Sequence, residues 1–114
     1  MCKIKNGDYI FIEHRKIYVS GKVSGLPYKE VQEKFKWHCA FLSLKGYDAV
    51  NPLDVCLFED GREWQHYMEA ALKALLGCDA IYLLKDWGQS KGARCEYALA
   101  RELGLQIFFH GDFV

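Results

Sequence analysis

Residues 78–109, CDAIYLLKDWGQSKGARCEYALARELGLQIFF, contain the pattern that decides the fold. The apolar run that ends at Leu84 predicts a buried strand, and residues 90–103 then repeat apolar side chains at helical spacing up to Gly104. A second apolar run, residues 105–109, predicts another buried strand. A strand, a helix and a strand in this order are typical of a βαβ unit with parallel strands.

The preceding part of the chain shows the same alternation. Residues 17–19 and 47–50 predict strands, and residues 27–45 and 62–77 predict helices that end at Gly46 and Gly77. We therefore expect an α/β domain with a mainly parallel sheet of four or five strands. Residues 8–14 predict either an edge strand or an unstructured leader, so the predicted organisation is a leader, 1–15, and one domain, 16–114.

Helical periodicity also predicts which side chains pack inward. In the last predicted helix these residues are Ala93, Tyr97, Ala98, Ala100 and Leu103. In the helix before it they are Trp64, Tyr67, Met68, Ala71, Leu72 and Leu75. In the first helix they are Val31, Phe35, His38, Cys39 and Leu42.

Composition excludes several classes of protein. The 114 residues carry 15 basic and 15 acidic side chains, and this balance does not favour a nucleic acid polymer or a membrane surface as partner. The five cysteines are scattered without a CxxC pair, which suits reduced thiols in the cytoplasm. The four histidines lack metal-ligand spacing. We predict a soluble, cytoplasmic protein with no metal and no cofactor.

The loop after the first predicted strand is rich in small residues. It contains Ser20, Gly21, Lys22, Ser24 and Gly25. Backbone N–H groups of such a loop, together with the following helix N-terminus, favour an anion such as phosphate. A tight turn without a ligand is the competing interpretation, because the loop matches neither GxGxxG nor the P-loop pattern.

Two further residues follow predicted strands and allow two interpretations each. Asn51, before Pro52, is either a ligand contact or a turn residue. Trp87 either stacks on a ring of a ligand or covers the edge of the core.

The loop before the last helix carries the most chemistry. Ser90 stands at or near the helix N-terminus, and Gly92 makes the backbone permissive. Glu96, one to two turns into the helix, lies toward the first loop if the helix packs its apolar face on the sheet. A carboxylate there is suited to act as a nucleophile or a general base, whereas a solvated helix glutamate is the competing interpretation.

Three segments together carry a family resemblance: IYVSGKVSG at 17–25, NP at 51–52, and CDAIYLLKDWGQSKGARCEYALARELG at 78–104. They resemble the nucleoside 2-deoxyribosyltransferase-like superfamily, and most closely a branch of small bacterial and phage domains of unassigned function. The resemblance covers about residues 16–109. It implies a flavodoxin-like, Rossmann-like three-layer sandwich and a homodimer or larger homo-oligomer.

The resemblance also implies roles for individual residues. Relatives cleave or exchange the N-glycosidic bond of deoxynucleosides or their 5′-monophosphates, and Glu96 takes the position of the nucleophile. Tyr18 and Gly21 fall in the ligand-binding first loop, and Ser90 matches a serine that contacts the 5′-phosphate. The predicted substrate-binding residues are Tyr18, Ser20, Gly21, Lys22, Ser24, Gly25, Asn51, Trp87, Ser90 and Gly92.

One position departs from the pattern of the relatives. They carry an aspartate in the helix before the CDAIYLL strand, where it helps the base to leave. Here Ala71 is the literal match, and Glu69 is near but out of register. Asp79 and Asp86 are other carboxylates, and Asp79 is expected to be structural, at the start of its strand.

The sequence leaves three alternative functions. In the first two, the protein binds a small nucleotide or nucleoside. The first is an N-glycosidase or deoxyribosyltransferase that acts on a (deoxy)nucleoside 5′-monophosphate through Glu96. The second is a non-catalytic nucleotide-binding or sensing module. The third is an assembly protein with a vestigial pocket.

Overall fold

In the part of the chain that the structure describes, the sheet has four parallel strands, and it positions the loops in which the candidate residues lie. The computed structural model describes residues 15–55 and 63–112. The strands are β1, Lys16–Ser20, β2, Asp48–Val50, β3, Ala80–Leu83, and β4, Gln106–Phe109. Their order is β2-β1-β3-β4, and each neighbouring pair is parallel. The predicted strand or leader at 8–14 lies outside the described residues.

The helices follow the strands in the predicted alternation. They are α1, Tyr28–Leu44, α2, Pro52–Val55, α3, Trp64–Leu76, and α4, Lys91–Leu103. A short 3₁₀ turn, Trp87–Gln89, precedes α4. The predicted helices did not include α2 or this turn. Both are single turns, too short to show an apolar periodicity in the sequence.

Alternation along the central strands divides the core into two layers. Ile17 and Val19 of β1 point to α1, where they pack with Val31, Phe35 and Leu42. Tyr18 points to the opposite side, where Ala71 of α3 and Ala100 of α4 complete the second cluster. Helices therefore cover both faces of the sheet, which confirms the predicted three-layer sandwich.

Some packing predictions for the helices were wrong. In α4 the buried residues are Ala93, Glu96 and Ala100, whereas Ala98 and Leu103 are exposed. The buried face of α4 therefore includes Glu96, and it does not include Ala98 or Leu103. In α1, His38 and Cys39 are only half-buried.

The strand order places a topological switch point between β1 and β3. The chain leaves β1 toward β2 on one side, and it leaves β3 toward β4 on the other. Loops that diverge in this way open a crevice at the carboxyl ends of the two strands, where open α/β sheets bind ligands. The loops 21–27 and 84–90 both begin at this crevice.

Candidate functional site

Glu96 is a buried carboxylate at the switch point. Only 6% of its surface is exposed, and both carboxylate oxygens accept a hydrogen bond. The Ser20 hydroxyl donates to Oε1 at 2.6 Å, and the Tyr18 hydroxyl donates to Oε2 at 2.8 Å. The two donors hold the carboxylate plane in one orientation relative to the sheet.

The period of two along β1 explains this arrangement. Tyr18 and Ser20 are two residues apart, so they point to the same face of the sheet, the one that α4 covers. We predicted Ser20 as part of a phosphate cradle. The structure instead places its hydroxyl on Glu96, behind the surface that a ligand would touch.

Burial sets the ionisation of this pair. Removal of the carboxylate from water raises the pKa of Glu96 above its ordinary value, and the hydrogen bonds from Ser20 and Tyr18 partly oppose that rise. Burial likewise raises the pKa of Tyr18 well above its ordinary value, and the nearby Glu96 raises it further. Tyr18 therefore stays protonated and remains a donor to the carboxylate.

A cleft of about 720 Å³ opens beside Glu96. Most of the predicted site residues line it: Tyr18, Gly21, Lys22, Ser24, Gly25, Ser90, Gly92 and Glu96. The structure thus brings the first loop, the start of α4 and the carboxylate to one cavity. That volume is in the range of small-molecule sites.

Gly21 and Gly25 are required by the shape of the first loop. A Cβ atom on Gly21 would lie 2.6 Å from Cδ1 of Leu84, which is buried. Gly25 has a φ of 84°, in the left-handed region that favours glycine. The loop therefore combines close packing at its start with a sharp reversal four residues later.

Asp86 ties the first loop to the loop after β3. Its carboxylate accepts hydrogen bonds from the Lys22 N–H at 3.0 Å and from Lys34 Nζ at 2.7 Å. Lys34 Nζ also donates to the Lys22 carbonyl at 2.8 Å. Burial alone would raise the pKa of Asp86, but these hydrogen bonds hold it below its ordinary value. We name Asp86, Lys22 and Lys34 the loop clamp.

Ser90 and Gly92 form the start of α4 at the cleft. The Ser90 hydroxyl accepts a hydrogen bond from the Ala93 N–H at 3.1 Å, and this bond caps the helix. Gly92 lies against α3, because a Cβ there would come within 3.0 Å of the Met68 sulfur. The cap leaves the Ser90 hydroxyl proton available for a ligand oxygen.

Asn51 and Trp87 do not line the cleft. The Asn51 side-chain oxygen accepts the Leu53 N–H at 2.9 Å, which makes Asn51 a turn residue at the start of α2. The Trp87 ring packs against Tyr97 and Phe109, with centroids 4.8 and 6.0 Å away. For both residues the structure favours the local alternative, a turn and a core edge.

The wall contributed by α3 is the part that sequence reasoning missed. Trp64, Tyr67 and Met68 line the cleft, although we predicted them as core residues. Helical periodicity marks an apolar face, but it does not tell whether that face meets another element or an open cavity. Lys91 Nζ lies 4.3 Å from the centroid of the Trp64 ring, so a cation already covers part of this wall.

Comparison with known proteins assigns the chain to a family. The family described as "Domain of unknown function (DUF4406)" matches residues 15–109. The chain belongs to the DUF4406 family. A comparison of this DUF4406 protein with curated proteins gave no match.

Comparison with solved structures identifies a protein with a similar fold. The DUF4406 domain is similar to a structure described as "2-desoxiribosyltransferase from Leishmania mexicana", with a TM-score of 0.63 and 17% sequence identity. The match covers 83% of this chain and 63% of that one. This likeness confirms the predicted nucleoside 2-deoxyribosyltransferase-like, flavodoxin-like fold.

The cleft of the DUF4406 domain has Ala71 where the resemblance predicts an aspartate. Ala71 lines the cavity, at the position that the resemblance gives to an acid. Glu69 is exposed, and its carboxylate is 3.8 Å from Lys73, one turn along the same helix. Among the described residues that line the cleft, Glu96 supplies the only carboxylate. Asp79 is a structural residue, as expected, since it accepts the Lys16 N–H at 3.0 Å.

Two further kinds of feature are absent from the part of the chain that the structure describes. Within 15–55 and 63–112, no three histidine, cysteine or acidic side chains are grouped so that they would hold a metal ion. In the same residues, no helix is both long and apolar enough to cross a membrane.

Proposed function

We propose that this protein is an N-glycosidase or deoxyribosyltransferase that acts on a (deoxy)nucleoside 5′-monophosphate. The observation that carries the proposal is the Glu96 carboxylate, buried at the switch point and held by hydrogen bonds from Tyr18 and Ser20. A buried carboxylate fixed by two neutral donors beside a ligand-sized cleft is suited to attack on a sugar carbon.

The reaction would proceed in two displacements. In the first, a Glu96 oxygen attacks the anomeric carbon, the C–N bond breaks, and its electron pair leaves with the base. In the second, water or an acceptor base attacks the same carbon and releases Glu96. A carboxylate nucleophile of this kind gives overall retention at the anomeric carbon.

The 5′-phosphate would lie between the first loop and the start of α4. Lys22 and Lys91 line that part of the cleft, together with Ser24 and Ser90. Two ammonium groups and two hydroxyls suit a phosphate dianion. The α4 N-terminus adds its partial positive charge.

A non-catalytic nucleotide-binding module is the second candidate, and Ala71 is the observation that favours it. A general acid commonly contributes about 10²- to 10⁴-fold to such a rate, and the resemblance places one where this chain has a methyl group. Binding needs the phosphate end of the cleft but not the acid.

The test is incubation with each deoxynucleoside 5′-monophosphate, with free base followed by chromatography and binding by calorimetry. Catalysis predicts base release that Glu96→Gln abolishes while nucleotide binding persists. Binding without base release from any nucleotide would favour the module instead. If neither occurs, both candidates fail and a vestigial pocket gains support.

We further propose a homodimer or larger homo-oligomer in the cytoplasm. Support comes from two exposed apolar side chains on α1, Trp37 at 62% and Leu44 at 88% exposure. Sedimentation equilibrium of the protein and of a Trp37→Glu, Leu44→Glu variant tests the assembly.

A further inference from the structure

The surroundings of Glu96 restrict the charge of the substrate, and this inference rests on the proposed function. Both hydrogen-bond donors to the carboxylate are neutral hydroxyls. Among the described residues, no cationic group lies within ion-pair distance of Glu96. The carboxylate is thus buried without a counter-charge, an arrangement that burial disfavours. A positive charge on the ligand would supply what the protein does not.

The wall that lies along α3 is suited to a flat cation. It presents the rings of Trp64 and Tyr67, the Met68 thioether and the Ala71 methyl group. Aromatic faces attract cations through their negative π face. Lys91 Nζ contacts the Trp64 ring in this way, 4.3 Å from its centroid. In the proposed complex the phosphate would draw this ammonium group away from the ring, and the charged base would take its place.

The chemistry of bond cleavage points in the same direction. A neutral base takes the electron pair of the C–N bond and leaves as an anion unless an acid protonates it. Among the described residues that line the cleft, no carboxylic acid other than Glu96 itself is present to protonate that anion. A base that is cationic in the nucleotide takes the same electron pair and leaves neutral. Attack by Glu96 then cancels two opposite charges, a change that apolar surroundings favour because charges are costly there.

We propose that the substrate is a nucleotide whose base carries a positive charge, such as an N7-alkylated purine or a pyridinium 5′-monophosphate. In the first step a Glu96 oxygen bonds to the anomeric carbon and the neutral base departs with the electron pair. In the second step water attacks that carbon, Glu96 leaves as a carboxylate, and the water proton passes to solvent. No oxidant, metal or acid is consumed.

The charges of the cleft match such a ligand. Its described lining contains two ammonium groups, Lys22 and Lys91, and one carboxylate, Glu96. A phosphate dianion with a cationic base presents the opposite set: two negative charges at one end and one positive charge near the sugar. The phosphate would face the lysines and the base would face the aromatic wall.

A matched pair of nucleotides tests this proposal. 2′-Deoxyguanosine 5′-monophosphate and its N7-methyl derivative share sugar and phosphate and differ in the charge of the base. We expect kcat/KM for the methylated nucleotide to exceed that for the neutral one by about 100-fold or more, the contribution that a missing acid would otherwise make. Glu96→Gln should abolish both activities.

Ala71→Asp and its uncharged isostere Ala71→Asn give the matched control. The aspartate should raise kcat/KM for the neutral nucleotide, so that the ratio of kcat/KM for the methylated nucleotide to that for the neutral one falls by about tenfold or more. The asparagine should leave this ratio unchanged. Thermal melts establish that both variants fold, and the wild-type preference stands by itself if they do not.

Two results would overturn the proposal, and they differ in what they leave standing. Equal kcat/KM for the two nucleotides, or cleavage of the neutral one alone, refutes the preference for a cationic base but leaves the proposed glycosidase intact. If the protein cleaves neither of these two nucleotides and none of the deoxynucleotides of the earlier test, both proposals are refuted.

Discussion

Tyr18 and Ser20 each donate to a different oxygen of Glu96, so each can be removed without the other. Their hydrogen bonds lower the pKa of Glu96, against the rise caused by burial. In Tyr18→Phe and Ser20→Ala the pKa of Glu96 should therefore be higher than in the wild type. The proposed reaction requires an ionised Glu96, so the acid limb of the kcat/KM profile should move to higher pH in both variants.

The measurement is base release across the pH range, with Ser20→Thr as the control that restores a hydroxyl. A lower rate with an unmoved acid limb would mean that the two hydroxyls only support the fold.

Gly21 can be tested by adding one methyl group. Its Cβ would lie 2.6 Å from Cδ1 and 2.9 Å from Cβ of the buried Leu84, and a change of the Leu84 rotamer leaves the second contact in place. Gly21→Ala should therefore lower the free energy of unfolding by about 1–3 kcal/mol. Gly88→Ala is the control, because that Cβ meets nothing within 4 Å, and its effect should stay within about 0.5 kcal/mol. Urea denaturation measures both, and equal effects would contradict the steric argument.

At the residue scale, the sequence singled out Glu96 and placed it toward the first loop, but it did not predict that the carboxylate is buried. Helical spacing placed Ala93 and Ala100 on the sheet, and Glu96 lies on that same stripe. A glutamate on a helix is more often solvated, so periodicity alone did not bury it. The resemblance singled it out. Alternation along β1 places Tyr18 and Ser20 on one face of the sheet, and this pattern is visible in the sequence. It does not tell that both hydroxyls meet Glu96.

At the scale of elements, Ser90 has two separable roles. As the cap of α4 it accepts the Ala93 N–H, and as a cleft residue it would meet the phosphate. Ser90→Ala should lower the free energy of unfolding by about 1 kcal/mol and also weaken nucleotide binding. Ser90→Asp should keep the cap and favour the helix dipole, yet repel phosphate.

Denaturation and calorimetry of the two variants separate these roles. The aspartate variant should fold as stably as the wild type and lose nucleotide affinity. If it binds nucleotide as tightly as the wild type does, the phosphate lies elsewhere in the cleft.

The helices and strands themselves were largely predictable because their signals are local. Gly46, Gly77 and Gly104 each follow a helical run, and the observed helices end within two residues of them. The loop clamp was not predictable, since Asp86 meets Lys22 across 64 positions of sequence and Lys34 across 52. Contacts of that separation depend on the sheet order, which a single sequence does not encode in any local pattern.

At the scale of the whole molecule, the buried Glu96 carboxylate should reduce stability at neutral pH. Burial raises the pKa of Glu96 above its value in the unfolded chain, so the folded protein binds this proton more tightly. The stability that the group contributes is present below the unfolded pKa, about 4.3, and is lost as the pH rises toward the higher folded pKa. The side-chain amide of the Glu96→Gln variant is uncharged, so this variant buries no charge at neutral pH.

We therefore expect Glu96→Gln to be more stable than the wild type at pH 7 and above. The difference should shrink as the pH falls and should vanish below about pH 4. Free energies of unfolding from urea titrations at several pH values provide the measurement. A variant that is less stable than the wild type at every pH would show that Glu96 supports the fold instead.

The loop clamp and the donors to Glu96 lie on one side of the cleft. The first loop, the loop after β3 and α1 are joined through Asp86 and Lys34, and Tyr18 and Ser20 of β1 hold the carboxylate of α4. The opposite side is a single helix face, in which Trp64, Tyr67 and Met68 contribute side chains to the cavity. Under the proposed function, we expect substitutions on that face to change the space for a base without moving the Glu96 carboxylate. The residues that hold the carboxylate and the residues that would contact the base then lie on different elements, so that each set can change without the other.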